Sequence, residues 1–105
     1  MTHKTTLYVG LFDQHSHVQK FTTLEAFKIV DSLILARFGG ATISESHGIY
    51  RHNDGSTVIE PSLRIELVHE DSEQPLLDSL VQDIKLILNQ ESILVTRQEM
   101  HVSFV

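Results

Sequence analysis

The chain has 105 residues, of which 14 are acidic and 8 basic, giving a formal net charge of −6, and it contains seven histidines and no cysteine. That length suits one domain over residues 1–105, small enough that a partner subunit would help its stability. The acidic balance excludes a general nucleic-acid binder, and the absence of cysteine excludes disulfides, thiolate metal sites and cysteine nucleophiles.

The N-terminal segment Met1-Thr2-His3-Lys4-Thr5-Thr6 carries no apolar run of signal-peptide length. No segment reaches the roughly 18 apolar residues of a membrane span, so a cytoplasmic location without membrane association is expected. Residues 7–12 alternate, with Leu7, Val9 and Leu11 on one side and Tyr8, Gly10 and Phe12 on the other, as a strand requires. Residues 13–20 are polar and read as a loop. Thr22 and Glu25 then form a capping box, opening a helix that buries Ala26, Phe27, Val30, Leu33, Ile34 and Phe38. Gly39-Gly40 is read as its stop, through the left-handed conformation glycine adopts freely.

A second strand spans residues 41–51 and a third residues 57–69, joined at His52-Asn53-Asp54-Gly55, a strong hairpin signal. Pro61 marks a bulge, an edge or a late start in the third strand. In the second strand Glu45 and His47 share the parity of Ile43 and Ile49. Either a bulge falls near Ser46-His47-Gly48, or these polar residues lie beyond the helices. Residues 70–74 form an acidic loop with Ser72 as a candidate cap. Leu76, Leu77, Leu80, Val81, Ile84, Ile87 and Leu88 then mark a second helix. A last extended region begins at Ser92, and residues 100–105 alternate again.

This order is β-α-β-β-α-β. Short loops make the central strand pair antiparallel, and right-handed crossovers place each helix on the same side. The expected class is α+β, a ferredoxin-like antiparallel sheet in the order 4-1-3-2 with both helices on one face.

Leu63, Ile65 and Leu67 should face the helices, leaving Arg64 and Glu66 on the other face with Tyr8, Phe12, Ser44 and Tyr50. Aromatic residues and arginine on an otherwise open face suit a subunit interface. Alternatively, Arg64 could hold an anion bidentately beside Tyr8 or Tyr50. Gln90 and Glu91, in the polar junction Asn89-Gln90-Glu91-Ser92, are read mainly as a helix end and a turn. Their side chains can also reach the open sheet end.

The candidate ligand-binding residues are therefore Tyr8, Tyr50, Arg64, Glu66, Gln90 and Glu91. No catalytic residue, metal ligand or cofactor is assigned. His15-Ser16-His17 and the pair His47 and His52 are read as solvated loop and edge histidines, and Glu45 with His47 as an edge ion pair.

The segments Leu7-Tyr8-Val9-Gly10-Leu11, Phe38-Gly39-Gly40-Ala41-Thr42-Ile43, Gly48-Ile49-Tyr50 before Asn53-Asp54-Gly55, and Gln90-Glu91-Ser92-Ile93-Leu94-Val95 occur in that order. With the closing Val102-Ser103-Phe104 they span nearly the whole chain. In this the chain resembles a family of small bacterial domains of unknown function, with an L-Y-x-G-L opening, a G-x-T-V strand and a Q-E-S-V-L ending. The resemblance implies a ferredoxin-like fold and no established activity. The chain departs from many members in lacking a secretion signal and in having His101 near a position where cysteine is common. Such a signal-less, acidic version also suits a phage protein.

The functional expectation is a non-enzymatic, homo-oligomeric binding module for a small anionic ligand or a partner protein. The alternatives are a phage-encoded inhibitor that sequesters a host defence factor, and a cofactor-free enzyme of dimeric α+β-barrel type. In that enzyme Glu45 with His47, or Glu66 with Tyr50, would act as acid and base.

Overall fold

The computed structural model of the chain describes residues 1–51 and 54–105. In order the elements are β1 (Thr2–Gly10), α1 (Thr23–Leu35), β2 (Thr42–Arg51), β3 (Thr57–Glu70), a short 3₁₀ turn (Asp71–Glu73), α2 (Gln74–Ile87) and β4 (Leu94–Glu99). The strands form one antiparallel sheet in the order β2-β3-β1-β4, as the crossover argument requires. Among the described residues no helix is long and apolar enough to cross a membrane.

One sheet face is the core. Leu7 pairs with Ile65 and Val9 with Leu63, and all four are buried beneath Ala26, Val30 and Ile34 of α1 and Leu77, Leu80 and Ile84 of α2. Burying each Leu or Ile contributes about 1.5–3 kcal/mol, so this layer dominates stability. The second face carries the even-numbered residues of β1, β2 and β3.

The helix ends show the local rules at work. Thr22 accepts from the Glu25 amide at 3.1 Å, and the Glu25 carboxylate accepts from the Thr22 amide at 2.9 Å, closing the expected capping box. The helix stops earlier than Gly39-Gly40. The amides of Arg37 and Phe38 both turn back to the Ile34 carbonyl, and neither glycine is left-handed. Phe27, expected in the core, is instead 38% exposed.

Ser72 does not cap α2. It lies inside the 3₁₀ turn, and Pro75 sits in the first helical turn, where no amide donor is needed. At the far end of α2, Asn89 takes a φ of 49°. The Gln90 amide reaches the Lys85 carbonyl at 2.9 Å and the Asn89 amide the Leu86 carbonyl at 3.3 Å. These paired bonds make a Schellman ending with asparagine in the usual place of glycine.

The β2–β3 register runs unbroken through Ser46, His47 and Gly48, so there is no bulge there. Glu45 and His47 stay exposed on the helix-side face because β2 is the outer strand. Pro61 fits without distortion. Its carbonyl accepts from the Leu11 amide at 3.0 Å, so the position of its missing N–H faces β1 just beyond the last β1–β3 pair, Gly10 with Ser62.

In the hairpin, Gly55 has a φ of 89° and Asp54 accepts from the Ser56 amide at 2.9 Å, while His52 and Asn53 lie outside the described residues. Two strands differ from expectation. β1 starts at Thr2, five residues early, and the final strand occupies Leu94–Glu99 within the extended region expected from Ser92, without the alternating residues 100–105.

Candidate functional site

The helix-free face ends in a cleft of about 390 Å³. It is lined by Phe12, Asp13, Gln14 and His17 after β1, Tyr50 and Glu60 of the β2–β3 hairpin, and Gln90, Glu91 and Ser92 after α2. Among the described residues lining it there is no lysine or arginine.

Glu60 is the least expected of these. It is only 8% exposed, although it belongs to the face that carries no helices. Its carboxylate lies over Gly10, where an added Cβ would meet Oε1 at 2.4 Å. The Phe12 amide donates to its Oε2 at 2.7 Å, and the Tyr50 hydroxyl donates to Oε1 at 3.3 Å. Neutral donors thus fix the orientation of a nearly buried charge. Burial, and then the negative charge of Glu60, push the Tyr50 phenol above its ordinary pKa, so it stays protonated and remains a donor at neutral pH.

Gln90 braces the opposite wall. It is buried, and its amide nitrogen donates to the carbonyls of Phe12 at 2.7 Å and Leu88 at 3.2 Å. Those two bonds leave the amide only one orientation.

Three of the six candidate residues therefore meet in the cleft: Tyr50, Gln90 and Glu91. Tyr8, Arg64 and Glu66 share the same face but form a separate cluster. Arg64 pairs with Glu66 at 2.6 Å, and Lys4 lies 3.8 Å from the same carboxylate. The Tyr8 hydroxyl and the charge of Glu66 raise the Arg64 pKa further. Arg64 is not among the residues that line the cleft.

Glu45 and His47 face the helix side, opposite Tyr50 and Glu60, and so do not serve the cleft. Among the described residues no group of three His, Asp or Glu could hold a metal ion.

Sequence reasoning missed Glu60 and Asp13. Gly10, at the end of β1, was the available signal for Glu60, since glycine in a strand marks a close approach. For Asp13 the signal was Asp13-x-x-Ser16, an Asx-type turn in which one carboxylate oxygen collects the amides of His15 at 3.0 Å and Ser16 at 2.9 Å.

No curated protein matches the sequence. Among solved structures, a phage SAM lyase in complex with S-methyl-5'-thioadenosine matches with a TM-score of 0.73 at 19% identity, covering 93% of this chain and 81% of that one. Its apo state matches at 0.72 and 18%, covering 91% and 78%. CutA from Synechococcus elongatus matches at 0.54 and 16%, covering 92% and 79%. At these identities the likeness is one of fold. The profile that matches residues 4–104 settles the relationship in sequence: the chain belongs to a family of proteins of unknown function (DUF3574).

Proposed function

We propose that the cleft binds S-adenosylmethionine, or a closely related sulfonium nucleoside, and cleaves it to release methylthioadenosine. The observation that carries this reading is Glu60, a buried carboxylate aimed by neutral donors into a cleft whose described lining offers carboxylates and no lysine or arginine. Such a cleft attracts a cation and repels an anion, so it favours a sulfonium over the anionic ligand that Arg64 suggested. Phe12 and Tyr50 add aromatic surface for a planar base. The likeness of fold to a SAM lyase supports the same ligand class.

The reaction needs no cofactor and no water. The carbon–sulfur bond breaks and its electron pair stays on sulfur, so methylthioadenosine leaves as a neutral thioether. The ligand's own carboxylate closes on the carbon left behind. Glu60 and Glu91 hold and orient the cation, and the rate gain comes from positioning two ends of one molecule.

Calorimetric titration with S-adenosylmethionine and with neutral S-adenosylhomocysteine tests the charge argument. At least about tenfold tighter binding of the sulfonium is expected. Equal affinities would remove the charge argument.

Self-association of a ferredoxin-like fold belongs to the same reading. The helix-free face bears Tyr8, Arg64 and Glu66 beside exposed Leu94 and Val68, and this face is the proposed subunit contact. Sedimentation of an Arg64→Ala variant tests it; an unchanged mass would discard that contact.

A further inference from the structure

Two loops wall the cleft, residues 11–20 after β1 and residues 88–93 after α2, and four hydrogen bonds tie them together. Asn89 Nδ2 donates to Asp13 Oδ2 at 2.6 Å, Gln14 Nε2 to Asn89 Oδ1 at 2.7 Å, the Gln14 amide to the Asn89 carbonyl at 3.0 Å, and Gln90 Nε2 to the Phe12 carbonyl at 2.7 Å. Asn89 is thus bonded through both ends of its side chain and through its carbonyl. It makes these bonds from a backbone φ of 49°.

Behind this pair lies a second hollow of about 230 Å³, lined by Leu11, Lys20, Phe21, Ile87 and Leu88 together with Asp13 and Asn89. Asp13 borders both spaces. The hollow is room into which either loop could sink if the tie were cut.

We infer that Asp13 and Asn89 are positioning residues, a polar clasp that holds Phe12 on one wall and Glu91 on the other at the separation the ligand requires. The inference rests on the reading of the cleft as a ligand site. A neutral pair would give a weaker tie, because charge-assisted bonds are about twice as strong as neutral ones. The Asn89 amide first, then the Ser16 and His15 amides and Lys20, hold the Asp13 carboxyl well below the usual carboxylate range. The clasp therefore keeps its charge throughout the physiological range.

The test is a charge-pattern swap, read two ways in the full chain: amide hydrogen exchange at Gln14, and calorimetric titration with methylthioadenosine. Asp13→Asn removes the acceptor charge, and Asn89→Asp sets two carboxylates against each other. Each single variant is expected to speed exchange at Gln14 and weaken binding by about tenfold, with exchange at Leu7 and Ile65 unchanged. The double variant Asp13→Asn with Asn89→Asp restores a donor facing an acceptor, and should recover both values to within about threefold. Lys20→Met, which removes the exposed partner, should change both little.

Single variants that leave Gln14 exchange unaltered would overturn the clasp. So would a swap no better than its parents, which would mean a merely local structural role. Should the unaltered chain bind neither methylthioadenosine nor S-adenosylmethionine, the ligand reading falls alone, and the exchange data still decide whether the clasp exists.

Discussion

Two sets of carboxylates at opposite ends of the sheet, Asp71 with Glu70 at one and Glu60 at the other, are treated in opposite ways. At the end where β1 begins, Asp71 meets the Met1 amino group at 3.3 Å, Arg97 at 3.1 Å and the ring of His3, and Glu70 meets the Met1 amino group at 3.5 Å and the Thr2 hydroxyl at 2.6 Å. At the other end, among the described residues, Glu60 accepts from the neutral donors Phe12 N–H and Tyr50 O–H. The paired end satisfies its charges internally, in solvent, and so serves to pin the chain start to the sheet. At the cleft end Glu60 is nearly buried, and on the proposed reading a cationic ligand is what pairs with it. Burial without a cation is costly, and it is retained where a ligand supplies the missing charge.

The largest expected effect breaks this contrast at the cleft. Glu60→Gln keeps the shape and the acceptor for Phe12 but removes the charge. It should cut methylthioadenosine release by about a hundredfold while leaving the circular dichroism spectrum unchanged. A smaller effect comes from beneath. Gly10→Ala pushes a methyl group against the flexible end of Glu60, so the carboxylate moves while the backbone does not. Turnover should fall about tenfold, with little change in melting temperature.

At the paired end Asp71→Asn should lower the melting temperature slightly and leave turnover at the unaltered rate. The group is solvent-exposed, and such pairs contribute little. A fall in turnover matching that of Gly10→Ala would show the two ends to be coupled.

The smallest effect is in the pH profile. The hydrogen bond from His3 lowers the Asp71 carboxyl, and that from Thr2 lowers the Glu70 carboxyl. A lowered folded pKa gives stability that is present above the unfolded value of about 4 and lost as pH falls through the folded one. The Met1 amino group is raised, chiefly by Asp71. Its contribution is present below about pH 8 and lost as pH rises through the folded value. Thermal melts of Asp71→Asn against pH should therefore flatten both the acid and the alkaline limbs relative to the unaltered chain.

The contrast between the ends also explains what the sequence disclosed. The core was legible because Leu7, Val9, Leu63, Ile65 and Leu67 alternate, and because α1 and α2 repeat at helical spacing over that face. The first half of β1 was not, since its inward residues are His3 and Thr5, paired across the sheet with His69 and Leu67. Burial of Thr5 and His69 depends on their bond of 2.6 Å to each other, which no hydrophobic pattern announces.

The end of β4 was taken too far for a related reason. As an edge strand with every residue exposed, it has no buried side to set a rhythm. In the site, Tyr50, Gln90 and Glu91 were legible as polar or aromatic residues at the open end of the sheet. Arg64 drew attention as the natural anchor for an anion; it pairs with Glu66 and does not line the cleft. Glu60 looked like an ordinary solvated charge, because its burial is made by the absence of a side chain at Gly10.

The most direct measurement is chromatography of S-adenosylmethionine after incubation with the purified chain and, in parallel, with Glu60→Gln. The cleft chemistry requires methylthioadenosine to accumulate with the first and to be nearly absent with the second. Intact S-adenosylmethionine in both samples, or equal product from both, would contradict it.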